Sequence, residues 1–121
     1  MALGFNEQTE KTLLHHWQAF GAGDIEAIMA DYAEDAVLIA PDGPLKGHVA
    51  IRALFANVFE NMFPPKSTSL SLDKQIIEGE IAYIVWSGRS QFYSAAFGTD
   101  TFVIRGGKIV VQTFAAQLTK K

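Results

Sequence analysis

The 121-residue chain contains no cysteine. Disulfides and thiol catalysis are thereby excluded, and the composition fits the cytoplasm. No run of ~18 apolar residues occurs, so no membrane span is expected. The N-terminus lacks a basic stretch followed by an apolar core, so no signal peptide is expected. No His-x-x-x-His or Cys/His spacing is present, and no metal site is expected. Charge is sparse, at 19% of residues with a net value of −3. Without a basic cluster, nucleic acid is a poor partner. Apolar residues are the abundant class, at 49%. A monomer this small has difficulty hiding that much apolar surface, which points to a homodimer. The length suits one domain, residues 1–121, with a real core.

Leu13, Leu14, Trp17 and Phe20 recur at helical spacing, so residues ~6–21 read as an amphipathic helix. Gly21 and Gly23 end it. Asp24 is a good N-cap for a second helix, whose apolar face runs Ile25, Ile28, Met29 and Tyr32. In this reading Tyr32 closes that helix. Ala36–Ala40 is a short strand, broken by Pro41-Asp-Gly-Pro44. Ile51, Leu54, Phe55, Val58, Phe59 and Met62 mark a third helix, stopped at Pro64-Pro65.

Beyond Pro65 the period changes. Residues ~67–78, 80–88, 90–105 and 108–118 read as strands of an antiparallel meander. Arg105-Gly-Gly-Lys108 suits a two-residue hairpin. Gly98, inside a long strand, marks an expected bulge or bend. The segment Ile81–Trp86 is apolar on both alternating faces. A sheet covered by helices on one side needs only one apolar face. The second face is therefore expected to meet the same sheet of a partner subunit.

Asp100 stands among apolar neighbours in Phe97–Ile104. If Phe102 and Ile104 face the core, two-residue alternation turns Asp100 inward as well. Burial disfavours its ion and raises its pKa. The alternative is a carboxylate tied to Arg105, Lys108 or backbone amides. Gln112 shares strand parity with Phe114 and Ala116, so its amide faces the same side. His16 lies at the edge of the first helix's apolar face, either as a pocket acid/base or as a core border. His15 points elsewhere and is expected in solvent, as is Glu26. Arg52 reads as a surface or ion-pair arginine.

Three stretches carry a family resemblance: Ala22–Val37 (AGDIEAIMADYAEDAV), Gly47–Arg52 (GHVAIR) and Asp100–Ile109 (DTFVIRGGKI). Together they resemble the nuclear-transport-factor-2-like superfamily, in its SnoaL-like and ketosteroid isomerase-like branches. The resemblance spans about Leu13 to Leu118. It implies an α+β fold of the cystatin-like type: three N-terminal helices packed on a curved, mostly antiparallel sheet. That cone would hold a small, largely apolar organic molecule. It also implies cofactor-independent acid/base chemistry of the isomerase, cyclase, dehydratase or hydrolase type. Carried over by position, the isomerases' aspartic acid falls on Asp100 and their helix tyrosine on His16. Their catalytic base falls on Ala40, which carries no proton acceptor, so steroid isomerisation is not expected. Asp42 replaces that base only if its loop turns inward.

The expected site is then Asp100 as acid or hydrogen-bond donor, with His16 as its acid/base partner. Tyr32, Gln112, Trp17, Phe55 and Asp42 would contact the substrate. Two other classes remain open: a binding module without turnover, and an interaction domain acting through its sheet face.

Overall fold

The computed structural model describes residues 4–121; residues 1–3 of the expected domain lie outside the described residues. Helix α1, Phe5–Ala22, buries Leu13, His16 and Ala19 along one stripe. It ends where Gly23 takes φ 66°, a left-handed value that glycine adopts without strain. The amides of Gly23 and Asp24 then close on the carbonyls of Phe20 and Ala19, at 3.0 and 3.1 Å. A Cβ on Gly23 would meet Pro65 at 2.1 Å, so the helix end also sits against the proline pair after the third helix. The Asp24 carboxylate caps α2, Ile25–Met29, accepting from the Ala27 amide at 3.1 Å.

Strand β1 runs Tyr32–Ala40. Tyr32 therefore opens a strand and does not close α2. Pairing outcompetes helix propensity here: Tyr32 registers with Ile109 in parallel, and the Ile109 amide donates to the Asp31 carbonyl at 2.7 Å. The Pro-Asp-Gly-Pro break is also more than a stop. Gly43–Lys46 forms a short strand, β2, folded back on β1 with Ala40 opposite Gly43. Pro44 is tolerated there because β2 is the sheet's edge.

Helix α3, Gly47–Asn57, continues as a π-helical turn, Val58–Met62. The third helix thus extends to Met62 as read, but its last turn is widened. Strands β3 (Ser69–Glu78), β4 (Ile81–Arg89), β5 (Tyr93–Arg105) and β6 (Lys108–Lys120) form the antiparallel meander. The sheet order is β2-β1-β6-β5-β4-β3, with β1 and β6 the parallel pair. The architecture is the expected α+β arrangement, with helices laid on one face of a mostly antiparallel sheet. The core packs between them, around Leu13, Ile28, Leu38, Ile51, Phe102 and Ile109.

Gly98 does not itself form a bulge. It stays in register, paired with Trp86 and Ala116, and the register shifts fall beside it, at Ala95/Phe97 and Trp86/Gly88. Its role is space. A Cβ there would lie 2.3 Å from the Trp86 indole, so only glycine lets that ring lie flat on β5. Phe114 stacks on the same indole, with centroids 6.4 Å apart and planes 12° apart.

The opposite sheet face keeps apolar groups. Ala82, Ile84 and Trp86 are buried, while Ile81 is 47% exposed. Across the ladder, Ile76 stands opposite Tyr83, and Val103 opposite Ile81 and Val111.

Candidate functional site

Between the helices and the inner sheet face lies a cavity of about 420 Å³. Helix α1 contributes His16, Trp17 and Phe20, and α3 with its π turn contributes Leu54, Phe55, Asn57, Val58 and Met62. Because the π turn is wider than an α turn, its side chains sit out of helical phase at the cavity wall. The sheet supplies Leu38, Ile84, Trp86, Asp100, Phe102 and Gln112. Ala40, Pro41 and Asp42 form part of the wall at the β1–β2 turn.

Asp100 is the polar centre of the wall. Trp86 Nε1 donates to its Oδ1 at 2.8 Å, and Gln112 Nε2 donates to its Oδ2 at 2.7 Å. The Tyr32 hydroxyl donates in turn to Gln112 Oε1. One side chain from each of four neighbouring strands, β4, β5, β6 and β1, thus joins a single chain of hydrogen bonds. The register explains it. Asp100 faces Ile84 and Phe114, which puts Trp86 and Gln112 on its two diagonals.

Burial raises the Asp100 carboxyl to about 6, against the pull of the Trp86 and Gln112 hydrogen bonds. At pH 7 the ionised form is still favoured over the acid. Both neighbours donate, so the neutral-pH carboxylate accepts and attracts protons. The donor role expected of Asp100 does not suit this geometry. Nor is Asp100 tied to the cations considered from the sequence. Arg105 pairs with Glu80 at 3.2 Å, and Lys108 Nζ donates to the Ala30 carbonyl at 2.6 Å.

His16 sits edge-on to Tyr32, Phe55 and Phe102, with centroids 5.5, 6.1 and 5.4 Å away. Its imidazole is driven down to about 4, first by burial and then by His15. It is therefore neutral at pH 7. Its Nδ1 is buried without a hydrogen-bond partner, 3.9 Å from Asp31 Oδ2. That carboxylate is engaged by His15, whose Nδ1 lies 2.8 Å from both oxygens. His15 is thus exposed as expected, and in addition anchored to Asp31. Glu26 is likewise exposed as expected, and forms a two-pronged surface ion pair with Arg52 at 2.5 and 2.9 Å.

The structure gathers Asp100, His16, Gln112, Trp17, Phe55 and Asp42 around one cavity. Asp42 reaches it from an exposed turn, at the wall's outer end. Tyr32 is the exception among the expected contacts. It is only 2% exposed and stands behind the wall, its hydroxyl committed to Gln112. Trp86 is the residue missed by sequence reasoning, which read it only as part of the two-faced apolar segment Ile81–Trp86. Its signal was present: Trp86 shares parity with Ala82 and Ile84, on the strand that precedes the one carrying Gly98. Among the described residues no cluster of His, Cys, Asp or Glu could hold a metal ion. No described helix is long and apolar enough to cross a membrane.

Residues 13–112 match the family model of the SnoaL-like domain. No curated protein matches the chain. Many solved structures share the fold. A protein from Kribbella flavida DSM 17836, provisionally named a ketosteroid isomerase, superposes with a TM-score of 0.81 at 14% identity, over 99% of this chain and 85% of its own. An NTF-2-like protein of unknown function from Burkholderia xenovorans LB400 gives 0.77 at 24% identity, over 93% and 85%. A provisionally named SnoaL-like polyketide cyclase from Jannaschia sp. CCS1 gives 0.78 at 14%, over 97% and 90%. At these identities the likeness establishes the fold.

The two buried groups make opposite predictions for acid stability. The Asp100 pKa is raised from 3.8, so its contribution is full below pH 3.8 and is lost as pH rises through about 6. The His16 pKa is lowered from 6.5, so its contribution is present above pH 6.5 and is lost as pH falls through about 4. The half-buried Asp31, also raised, adds to the Asp100 side. Across this window the contributions offset each other in the native protein. Asp100→Asn keeps the Trp86 and Gln112 contacts, since Gln112 can turn its amide over to accept from the new amide while the Tyr32 oxygen accepts from Gln112. This variant should lose stability relative to wild type between pH 6.5 and 4, and His16→Phe should gain it. Each difference should be roughly 2–3 kcal/mol across the window. Urea denaturation at pH 4, 5, 6 and 7 measures it; variant curves parallel to wild type would contradict both placements.

Proposed function

The chain belongs to the SnoaL-like domain family, and we propose that it binds a small, largely apolar organic molecule in its cone. Asp100 then acts on that molecule as a cofactor-independent acid/base group. The observation that carries this reading is a buried carboxylate, raised to about 6, in the wall of an otherwise apolar 420 Å³ cavity. That volume falls within the range of small-molecule sites, about 300–1,000 Å³. A group titrating near working pH can both take and return a proton. His16, neutral and in the same wall, is the partner group, and Gln112 holds the carboxylate in place. The cyclase and isomerase names of similar folds agree in kind with such chemistry.

Steroid isomerisation is outside this reading. Ala40 stands in the wall where the isomerases' base is expected and carries no acceptor. An enolate oxygen would also need donors, and those of Trp86 and Gln112 already point at Asp100. The loss at Ala40 favours one second reading, a binding module that holds its ligand without turnover.

Occupancy has a built-in reporter. The chain has two tryptophans, Trp17 and Trp86, and both line the cavity. Titration with the neutral fluorophore 1-aminoanthracene should quench them saturably at one site per chain. Ala40→Phe, which pushes a ring into the cavity from β1, should weaken binding at least about tenfold while melting is little changed. Absence of saturable quenching by this fluorophore, or an Ala40→Phe variant that binds as wild type does, would overturn the reading.

The outer sheet face supports a second element of the proposal, a homodimer in which Ile76, Ile81, Tyr83, Val103 and Val111 meet their copies. A contiguous apolar face of this kind is uncommon on a free monomer. Light scattering at micromolar concentration should give twice the 13.3 kDa chain mass. A mass near 13.3 kDa, unchanged by Tyr83→Lys, would remove the dimer.

A further inference from the structure

The polar atoms of the cavity wall are unevenly divided between donors and acceptors. Among the described residues, the side chains lining it include no lysine, arginine, serine, threonine or tyrosine. Trp86 Nε1 and one N–H of Gln112 are already given to Asp100. Of the remaining lining donors, Asn57 is exposed and Trp17 partly so, which leaves the single N–H of the neutral His16 imidazole and the second N–H of Gln112 against the fuller set of acceptor positions on Asp100. The acceptors are different. Each Asp100 oxygen accepts one hydrogen bond, while an ionised carboxylate offers about four acceptor positions. Asp100 is 8% exposed and that exposure opens on the cavity, so its spare lone pairs have no water-rich surface to turn to. Asp42 adds a second carboxylate at the wall's outer end, and no lining cation balances either one.

From this imbalance we infer that the cavity selects a ligand that brings its own hydrogen-bond donor and carries no negative charge. The chemical class is an apolar ring compound bearing a hydroxyl or amine, seated with that group on Asp100. The inference rests on the pocket reading above and narrows it. A carboxylate or phosphate ligand would face the buried Asp100 carboxylate without a countercharge, in surroundings that screen poorly. A ligand with acceptors alone would leave the Asp100 lone pairs dry, which is costly for a buried charged group. A neutral donor meets both demands, and it presents its proton to the group proposed to take it.

A matched series tests this at pH 7: 2-naphthol, its methyl ether 2-methoxynaphthalene, and the anion 2-naphthoate. Binding is read by displacement of 1-aminoanthracene and checked by calorimetry. The three share a ring system and differ in the group offered. A plain apolar cavity would bind the ether at least as well as the naphthol. The inference expects naphthol to bind about tenfold more tightly than the ether, since a hydrogen bond to a charged acceptor is involved. Naphthoate should be the weakest of the three. In Asp100→Asn the naphthol-to-ether ratio should fall below about threefold, because a neutral acceptor replaces the charged one. The wild-type comparison stands alone if that variant does not fold. An ether that matches the naphthol, a naphthoate that exceeds it, or a ratio unchanged in folded Asp100→Asn would overturn the inference and leave the pocket reading standing. If neither 1-aminoanthracene nor any of the three naphthalenes binds, both fall together.

Discussion

The rest of the site depends on one constraint: the Asp100 carboxylate is buried and must be stabilised without a cation. Taking a bare carboxylate out of water costs far more than a small domain can tolerate. Here the charge is met by two donors, an indole from β4 and an amide from β6. Both must arrive from the diagonals of the same sheet position, so the register of three strands is tied to one carboxyl group. The requirement spreads further. Gly98 must lack a side chain for the Trp86 indole to lie flat, and Tyr32 must sit behind Gln112 to fix its amide. The donors offset burial only in part, which leaves the carboxyl at about 6 and not in the ordinary range. A fully compensated carboxylate would be inert as a base at neutral pH. An uncompensated one would stay protonated. The network places Asp100 between these limits.

His16 answers the same problem in the opposite way. Surrounded by the rings of Tyr32, Phe55 and Phe102, it gives up its charge. The wall therefore presents an anionic acceptor on the sheet and a neutral imidazole on α1, inside a shell of aromatic and aliphatic groups. The widened turn after α3 and the turn of the β1–β2 hairpin complete the wall.

Much of this was legible in the sequence because strand alternation is a strict rule. Counting by twos from Phe102 put Asp100 inside, and counting from Phe114 put Gln112 beside it. The helix stripe gave Leu13 and Trp17, and the two-faced apolar pattern around Tyr83 is visible in the exposed Ile76 and Ile81. What could not be read was pairing. The parallel contact of β1 with β6 lies about 75 residues apart in sequence, and it decides that Tyr32 is a strand residue whose hydroxyl serves Gln112. The β2 strand was hidden because a Pro/Gly-rich stretch signals a turn whether or not its flank pairs. Trp86 was read only as one residue of an apolar strand, since its bond to Asp100 exists only once Gly98 is placed opposite it. The His15–Asp31 contact was missed because it joins α1 to a connecting residue that local periodicity does not position.

The central claim is that Asp100 is a buried carboxylate held partly ionised by Trp86 and Gln112. Its titration tests this directly. In carboxyl-labelled protein, the Asp100 ¹³Cγ resonance, assigned by its absence in Asp100→Asn, should titrate near pH 6. It should move higher in Trp86→Phe, where a donor favouring the ion is removed. A resonance titrating near 3.8, or one indifferent to Trp86→Phe, would contradict the account.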